Sequence, residues 1–211
     1  LGGHIQAFNK DGSSVTGFPV NVGKYPMSPT LSDLDGNGTM EIILGTRTGQ
    51  AYVYKGDGTV YPGWPKAMDR YVGASASAGD VNADGVMDVV MESRNLLYVW
   101  NKDGQLLPGF PFSILDSLVG SNSYSAPVLV DLTGDGKLEI VFCSHSDVTN
   151  AGGIIYAVKH DGTHLPGFPK TVPNWIYGAP IVADIDGDSQ LEIIIGEYGS
   201  SPTPAFYVFA Y

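Results

Sequence analysis

Asp33-Leu34-Asp35-Gly36-Asn37-Gly38-Thr39-Met40-Glu41 decides how this chain folds, because its pattern returns three more times. It reads DVNADGVMD from Asp80, DLTGDGKLE from Asp131 and DIDGDSQLE from Asp184. With the first Asp as position 1, oxygen-bearing side chains fall at positions 1, 3, 5 and 9 of each loop. That donor set suits a hard, oxygen-seeking cation. The loops start 47, 51 and 53 residues apart, so the sites sit on repeated structural units.

A second motif is locked to the first. Short apolar or aromatic runs, HIQAFNK, AYVYKG, LYVWNK and IYAVKH, lead into Asp11, Asp57, Asp103 and Asp161, each followed by Gly. At one fixed offset after each Asp-Gly comes Gly-aromatic-Pro: Gly17-Phe18-Pro19, Gly63-Trp64-Pro65, Gly109-Phe110-Pro111 and Gly167-Phe168-Pro169.

With 28 Gly and 14 Pro in 211 residues, the chain is rich in turns, and its apolar runs are short and full of Val, Ile, Tyr and Phe. No segment keeps a helical period, so the fold class is all-β. Each repeat divides into four strands. Strand one (Pro29 to Ser32, Ala126 to Val130) enters the acidic loop, and strand two (Glu41 to Leu44, Asp88 to Met91, Glu139 to Phe142, Glu192 to Ile195) leaves it. Strand two is apolar almost throughout, which suits burial on both faces. Strand three is the aromatic run, a tight Asp-Gly hairpin follows, and strand four is expected to end at the Pro, which cannot donate to a ladder. Four-stranded antiparallel units of this length describe the blade of a β-propeller. The boundaries are a partial blade at 1–20, repeats at 21–66, 67–112 and 113–170, and a partial blade at 171–211, forming one propeller region over 1–211.

The Asp-x-Asp-x-Asp-Gly-x-x-Asp/Glu loop, alternating with a Tyr-Val-Trp-like strand, Asp-Gly and Gly-Phe-Pro, resembles the FG-GAP or VCBS repeat of integrin α-subunit propellers and of many secreted bacterial and archaeal proteins. The resemblance spans essentially the whole chain. It implies a calcium-stabilised extracellular propeller serving adhesion or the binding of a glycan or protein ligand. It does not fix the ligand, and related propellers also occur in polysaccharide lyases and hydrolases, so a catalytic domain is the alternative.

The expected ligands are Asp33, Asp35, Asn37, the Thr39 carbonyl and Glu41; Asp80, Asn82, Asp84, the Val86 carbonyl and Asp88; Asp131, Thr133, Asp135, the Lys137 carbonyl and Glu139; and Asp184, Asp186, Asp188, the Gln190 carbonyl and Glu192. Five or more oxygens completed by water fit Ca²⁺, whereas Mg²⁺ prefers a smaller octahedral shell and Zn²⁺ wants His or Cys. About four ions are expected. Two loops depart from the pattern: Thr133 offers a neutral hydroxyl, and Ser189 replaces the Gly at position 6, where a left-handed backbone would cost about 1 kcal/mol.

Thirteen of the 22 acidic residues occupy ligand positions, so four bound Ca²⁺ would bring the net charge from −11 to about −3. Such acidity argues against nucleic acid as a partner. The lone Cys143, in the strand IVFC, reads as a small buried hydrophobe, and no disulfide can form within the chain. Calcium sites imply the extracellular space, secreted or at the cell surface. No apolar stretch is long enough for a transmembrane helix, and no signal peptide is seen. The chain, starting at Leu1, is expected to be a mature or excised segment.

In an up-and-down blade the acidic loops and the Asp-Gly hairpins share one end, while the two-three and four-one connections share the other. The irregular segments (Ser113 to Ser123, Ser144 to Gly153, Thr171 to Trp175, Gly199 to Ala205) all fall at that second end, which makes it the candidate binding face. Tyr25, Tyr71, Tyr124 and Tyr177 recur there, with Trp175 beside the last. Either they meet a ligand or, as regular recurrence also allows, they pack between blades; Trp175, outside the repeat, is the stronger ligand candidate. Trp64 and Trp100 hold repeat positions and are expected in the core. His145 with Asp147 and His160 with His164 are expected on solvated surface, and no catalytic residue is assigned.

The strands expected number 2, then 12 in three whole repeats, then 3, or 17 in all. A ring of four blades would leave one over, so a segment of a larger ring is expected, completed by the rest of its own propeller or by another copy.

Overall fold

The computed structural model describes residues 2–114, 121–122, 125–146, 152–198 and 206–210, and among them the chain is all strand, turn and bend, with no helix. The first sheet pairs β1 (Gly3–Ile5) with β2 (Val20–Gly23). The second holds β3 (Thr30–Ser32), β4 (Glu41–Gly45), β5 (Gln50–Tyr54) and β6 (Lys66–Ala67). The third holds β7 (Ser77–Gly79), β8 (Asp88–Glu92), β9 (Leu96–Trp100) and β10 (Phe112–Ser113). The fourth holds β11 (Ser121–Asn122), β12 (Val128–Val130), β13 (Glu139–Ser146), β14 (Gly153–Val158) and β15 (Lys170–Val172). The fifth holds β16 (Ile181–Ala183), β17 (Glu192–Gly196) and β18 (Phe206–Ala210). Every pairing is antiparallel, and within each four-stranded sheet the strand order follows the chain.

Two expectations about strands need correction. Among the described residues one strand more than expected is present, β11, because β13 runs on to Ser146 and its extension pairs with Ser121 and Asn122. Strand four begins after the Pro rather than ending there. A bridge closes each hairpin (Phe8 with Ser14, Tyr54 with Val60, Trp100 with Leu106, Val158 with His164). The chain then turns through a left-handed Gly and a cis X-Pro bond before it pairs again. A residue without an N–H suits that turn, where no ladder bond is asked of it.

Four apolar layers lie between successive sheets, so each sheet is buried on both faces wherever it has two neighbours. Ile5 and Val22 meet Leu44 and Tyr54 between the first and second sheets. Ile43, Val53 and Trp64 meet Val89, Met91 and Trp100 between the second and third. Val90, Val99 and Phe110 meet Ile140, Phe142 and Tyr156 between the third and fourth. Val141, Cys143 and Ile155 meet Ile193 and Ile195 between the fourth and fifth. Trp64 and Trp100 are core residues as expected, their rings edge to face at 5.5 Å. Cys143 is buried, and burial pushes its thiol pKa up, so it packs as an apolar group. The first strands of the acidic-loop sheets, β3, β7, β12 and β16, lie side by side in succession. The Thr30 hydroxyl donates to the Ala76 carbonyl at 2.8 Å along this row.

The two linked sequence motifs are the halves of a joint between neighbouring sheets. Gly17, Gly63 and Gly109 each lie flush against the carbonyl of the next repeat's hairpin Asp: Asp57, Asp103 and Asp161 in turn, where a Cβ would overlap the oxygen. The hairpin Gly residues answer, since a Cβ on Gly58, Gly104 or Gly162 would press on the carbonyl of Gly17, Gly63 or Gly109. In the second joint, Trp64 Nε1 also donates to the Lys102 carbonyl at 2.9 Å. Gly167, the last of the series, has nothing within 4 Å of that position.

The ends of the row are apolar. Leu31 pairs with Ile42 on the face turned to the first sheet, whose two strands leave Leu31 62% exposed. Ile181 pairs with Ile194 on the face turned away from the fourth sheet and is 63% exposed.

Candidate metal loops and the opposite face

All four acidic loops fold alike. The position 1 carboxylate accepts backbone N–H groups from across its own loop: Asn37 and Gly38 on Asp33 at 3.0 and 2.9 Å, Asp84 and Gly85 on Asp80 at 2.9 and 2.8 Å. Asp131 takes Gly134 and Gly136, and Asp184 takes Gly187 and Ser189. At position 5, one side-chain oxygen of Asn37, Asp84, Asp135 and Asp188 accepts the N–H two residues on, at 2.8 to 2.9 Å. At position 9, one oxygen of Glu41, Asp88, Glu139 and Glu192 accepts the N–H of position 2, at 2.8 to 3.0 Å. These bonds curl each loop so that its acids gather.

The tight curl needs left-handed backbone at positions 4 and 6. Glycine supplies it except at Ala83 (φ 60°) and Ser189 (φ 71°), so the strain expected at Ser189 is present and Ala83 shares it.

Electrostatics separate the two rims of each loop. Positions 1 to 7 are exposed or half-buried apart from Leu34 and Val81 at position 2, while the position 9 acids, which open strand two, are at most 3% exposed. Burial, with the neighbouring Asp33 and Asp35 adding to it, holds the Glu41 carboxyl above its ordinary range, and Glu139 is raised in the same way. Burial pushes Asp88 up to about 7, and its Oδ1 is buried with no hydrogen-bond donor. A buried carboxylate oxygen without a donor is costly unless a cation faces it. Candidate ligand atoms of Asp33, Asp35 and Glu41 lie within 4.8 Å of one another, as do those of Asp184, Asp186 and Asp188. These acidic clusters could hold a metal ion. The second and third loops put Asn82 and Thr133 at position 3, and like the first, which has Asn37 at position 5, each carries three carboxylates to the fourth loop's four. The Tyr61 hydroxyl donates to Asp35 at 3.2 Å, tying the hairpin end to the first loop.

At the opposite end, Tyr25 is 67% and Tyr177 41% exposed, while Tyr71 is half-buried. Tyr124, Asp147 and most of the irregular segments at 113–123, 144–153 and 199–205 lie outside the described residues. Half-buried Trp175 meets the Tyr177 ring at 6.1 Å, and Tyr177 meets Tyr198 at 5.6 Å. Sequence reasoning missed Tyr198, 70% exposed, which reaches Trp175 through a backbone bridge. The only signal for it was an aromatic residue just after strand two. The His160 and His164 pair is not solvated surface, because the hairpin that carries it packs on the neighbouring sheet. His164 lies edge-on to Phe112 at 5.1 Å, and His160 Nε2 is 3.1 Å from Lys137 Nζ.

Residues 33–91 match the FG-GAP-like repeat. The V. cholerae biofilm matrix protein Bap1 superposes with a TM-score of 0.64 at 22% identity, over 92% of this chain and 28% of Bap1. BBS1N, solved in complex with ARL6DN, superposes with a TM-score of 0.61 at 13% identity, over 98% of this chain and 58% of that one. The chain thus spans little more than a quarter of one relative and under two thirds of the other, and both likenesses concern the fold. The sequence match opens on the first acid of the first loop and closes in β8, so residues 33–91, with both the Asp33 and Asp80 loops, carry the FG-GAP-like repeat.

Proposed function

We propose that this chain is an arc of a calcium-stabilised β-propeller that serves extracellular adhesion or the recognition of a glycan or protein ligand. One observation carries the calcium assignment: four loops of one geometry each bring a buried carboxylate against a group of exposed oxygens, and in the second loop a buried oxygen has no protein donor. Asp33, Asp35, Asn37, Thr39 and Glu41, with their counterparts in the other loops, would hold the ions. Bound Ca²⁺ would supply the charge that lets the position 9 acids stay ionised while buried. The repeat match and the likeness to a biofilm matrix protein support an extracellular, adhesion-type role. No helix among the described residues is long and apolar enough to cross a membrane.

The binding face is the end opposite the loops, where Trp175, Tyr177 and Tyr198 form an aromatic cluster. Aromatic anchors of this kind carry a disproportionate share of binding energy. Trp175→Ala is expected to weaken ligand binding about tenfold, read by calorimetry on hits from a glycan array, while the calcium-dependent shift in melting temperature persists. Unchanged binding would remove Trp175 from the site. Product release from any bound glycan would favour a lyase or hydrolase instead.

The blades of 1–20, 21–66, 67–112, 113–170 and 171–211 form an arc that continues into the rest of a propeller or meets another copy. Leu31 and Met40 at one end and Ile181 and Ile185 at the other are exposed in the manner of uncovered blade faces. Sedimentation of the isolated chain is expected to show concentration-dependent association; a monomer at every concentration would overturn the arc.

A further inference from the structure

Between the second and third sheets, at the end away from the acidic loops, Tyr25, Arg47, Thr48 and Tyr71 line a cleft of about 330 Å³. Its walls come from three connections tied together by backbone. Tyr25 sits in the β2–β3 connection, where its carbonyl accepts from the Arg47 N–H at 3.1 Å and Met27 donates to Gly45 at 2.9 Å. Arg47 and Thr48 form the β4–β5 turn. The β6–β7 connection, which carries Tyr71, is bound to that turn at both sides, Met68 N–H to the Gly49 carbonyl at 2.9 Å and Val72 N–H to the Thr46 carbonyl at 3.1 Å. The buried Thr46 hydroxyl stands 2.9 Å from that of Thr48 and so fixes it. The cleft is therefore formed before any ligand arrives. Tyr25 is also held at φ 55°, a conformation an L-residue adopts at a cost of about 1 kcal/mol. Strain of this sort collects at functional sites, and here it displays a ring that is 67% exposed.

The charge of this corner is opposite to that of the chain. The segments 23–29, 45–50, 68–76 and 93–95 carry Lys24, Arg47, Arg70 and Arg94 against one acid, Asp69, in a protein of net charge −11. All three arginines of the chain are here. Asp69 accepts hydrogen bonds from Ser93, Asn95 and Tyr98, and the Arg94 guanidinium lies 6.0 Å from the Tyr71 ring centre. Arg47 is exposed and has no ion pair among the described residues. We propose that this cleft binds an acidic sugar, a uronate residue of an anionic polysaccharide, with the tyrosine rings against the sugar and Arg47 on its carboxylate.

The chemistry of the lining selects this class. A pyranose ring offers a C–H face to an aromatic ring and hydroxyls at its edge to a group such as Thr48. The guanidinium fork matches a carboxylate through two parallel hydrogen bonds. Among the described residues no aliphatic side chain lines the cleft, which leaves two rings, a hydroxyl and a guanidinium as its recognition groups. Its size falls at the low end of the roughly 300–1,000 Å³ common for small-ligand sites. The proposal rests on the recognition role given above and adds its ligand class and a second position on the same face.

The test is calorimetric titration of the whole chain, at fixed saturating calcium, with a trigalacturonate and with its fully methyl-esterified form. The charged trimer is expected to bind about tenfold tighter, and Arg47→Gln to remove that preference while leaving the melting temperature unchanged. Tyr25→Gly, which relaxes the backbone as it deletes the ring, is expected to weaken both trimers about tenfold. Equal binding of the two trimers, an unaltered preference in Arg47→Gln, or tighter binding of an oligo-glutamate would overturn the proposal. If binding is lost in Trp175→Ala but not in the Arg47 or Tyr25 variants, recognition on this face stands and this cleft is not its site.

Discussion

Chelating calcium is expected to lower the melting temperature of this chain, by an amount that grows as pH rises from about 4 to about 7. A ligand held only by the folded state stabilises it by about 2.7 kcal/mol per site at a hundred times its dissociation constant. Four similar loops give that effect four chances to act. The pH dependence follows from the buried acids. Without the ion, Asp88 has a folded pKa raised from 3.8 to about 7. The folded state therefore binds more protons than the unfolded one between those values, and stability falls as pH rises through them. The sign is the reverse of that for a salt-bridged Asp. A raised pKa of this size is worth on the order of 4 kcal/mol once the group is fully ionised. Calcium offsets it by facing the ionised carboxylates, so its contribution is smallest in acid and largest near neutrality. Scanning calorimetry at several pH values, with calcium and with chelator, checks this. Asp131→Ala should remove one ion and leave the others, read by equilibrium dialysis. Overlapping transitions with and without chelator at pH 7 would refute calcium as the stabilising ion.

The parts of the fold that could be read from the sequence are those whose physics is local. Asp33 to Glu41 shows its donors in order, because a chelating loop closes on itself within nine residues. Trp64 and Trp100 declare their burial because each holds a repeat position, and Cys143 because it lies in the apolar run IVFC. The left-handed backbone at Ser189 was visible because three sister loops have Gly there; that at Ala83 was missed although its sisters also have Gly. Features that depend on a neighbouring sheet were not legible. The offset between Asp-Gly and Gly-aromatic-Pro looked like a property of one repeat, whereas the contact it serves joins each Gly to the hairpin of the next. The half-buried His164 is explained by Phe112, which reaches it from the preceding sheet. The cationic corner around Arg47 is assembled from four separate connections, and no one of them carries more than one arginine.

Gly63→Ala and Gly109→Ala are expected to destabilise the fold far more than Gly167→Ala. All three residues have φ 86°, so the cost of placing a Cβ on left-handed backbone, about 1 kcal/mol, is common to them and cancels in the comparison. What differs is the space around them. At Gly63 and Gly109 a methyl group would overlap the carbonyls of Asp103 and Asp161, whereas at Gly167 nothing lies within 4 Å. The obstacle is backbone, and it cannot rotate away as a side chain could. Moving it shifts a hairpin whose Asp is already fixed: Thr163 donates to Asp161 through both its N–H and its hydroxyl, at 3.0 and 2.6 Å. Overpacking of this kind costs roughly 1–3 kcal/mol beyond the common strain. Because the joint also aligns the apolar layers, splaying it would expose Phe110 or Trp64 as well. Urea denaturation with calcium held constant gives the comparison. Three equal losses would mean that the glycines serve only the turn. A small loss at Gly167 beside large ones at Gly63 and Gly109 would establish the joint as what couples each sheet to the next.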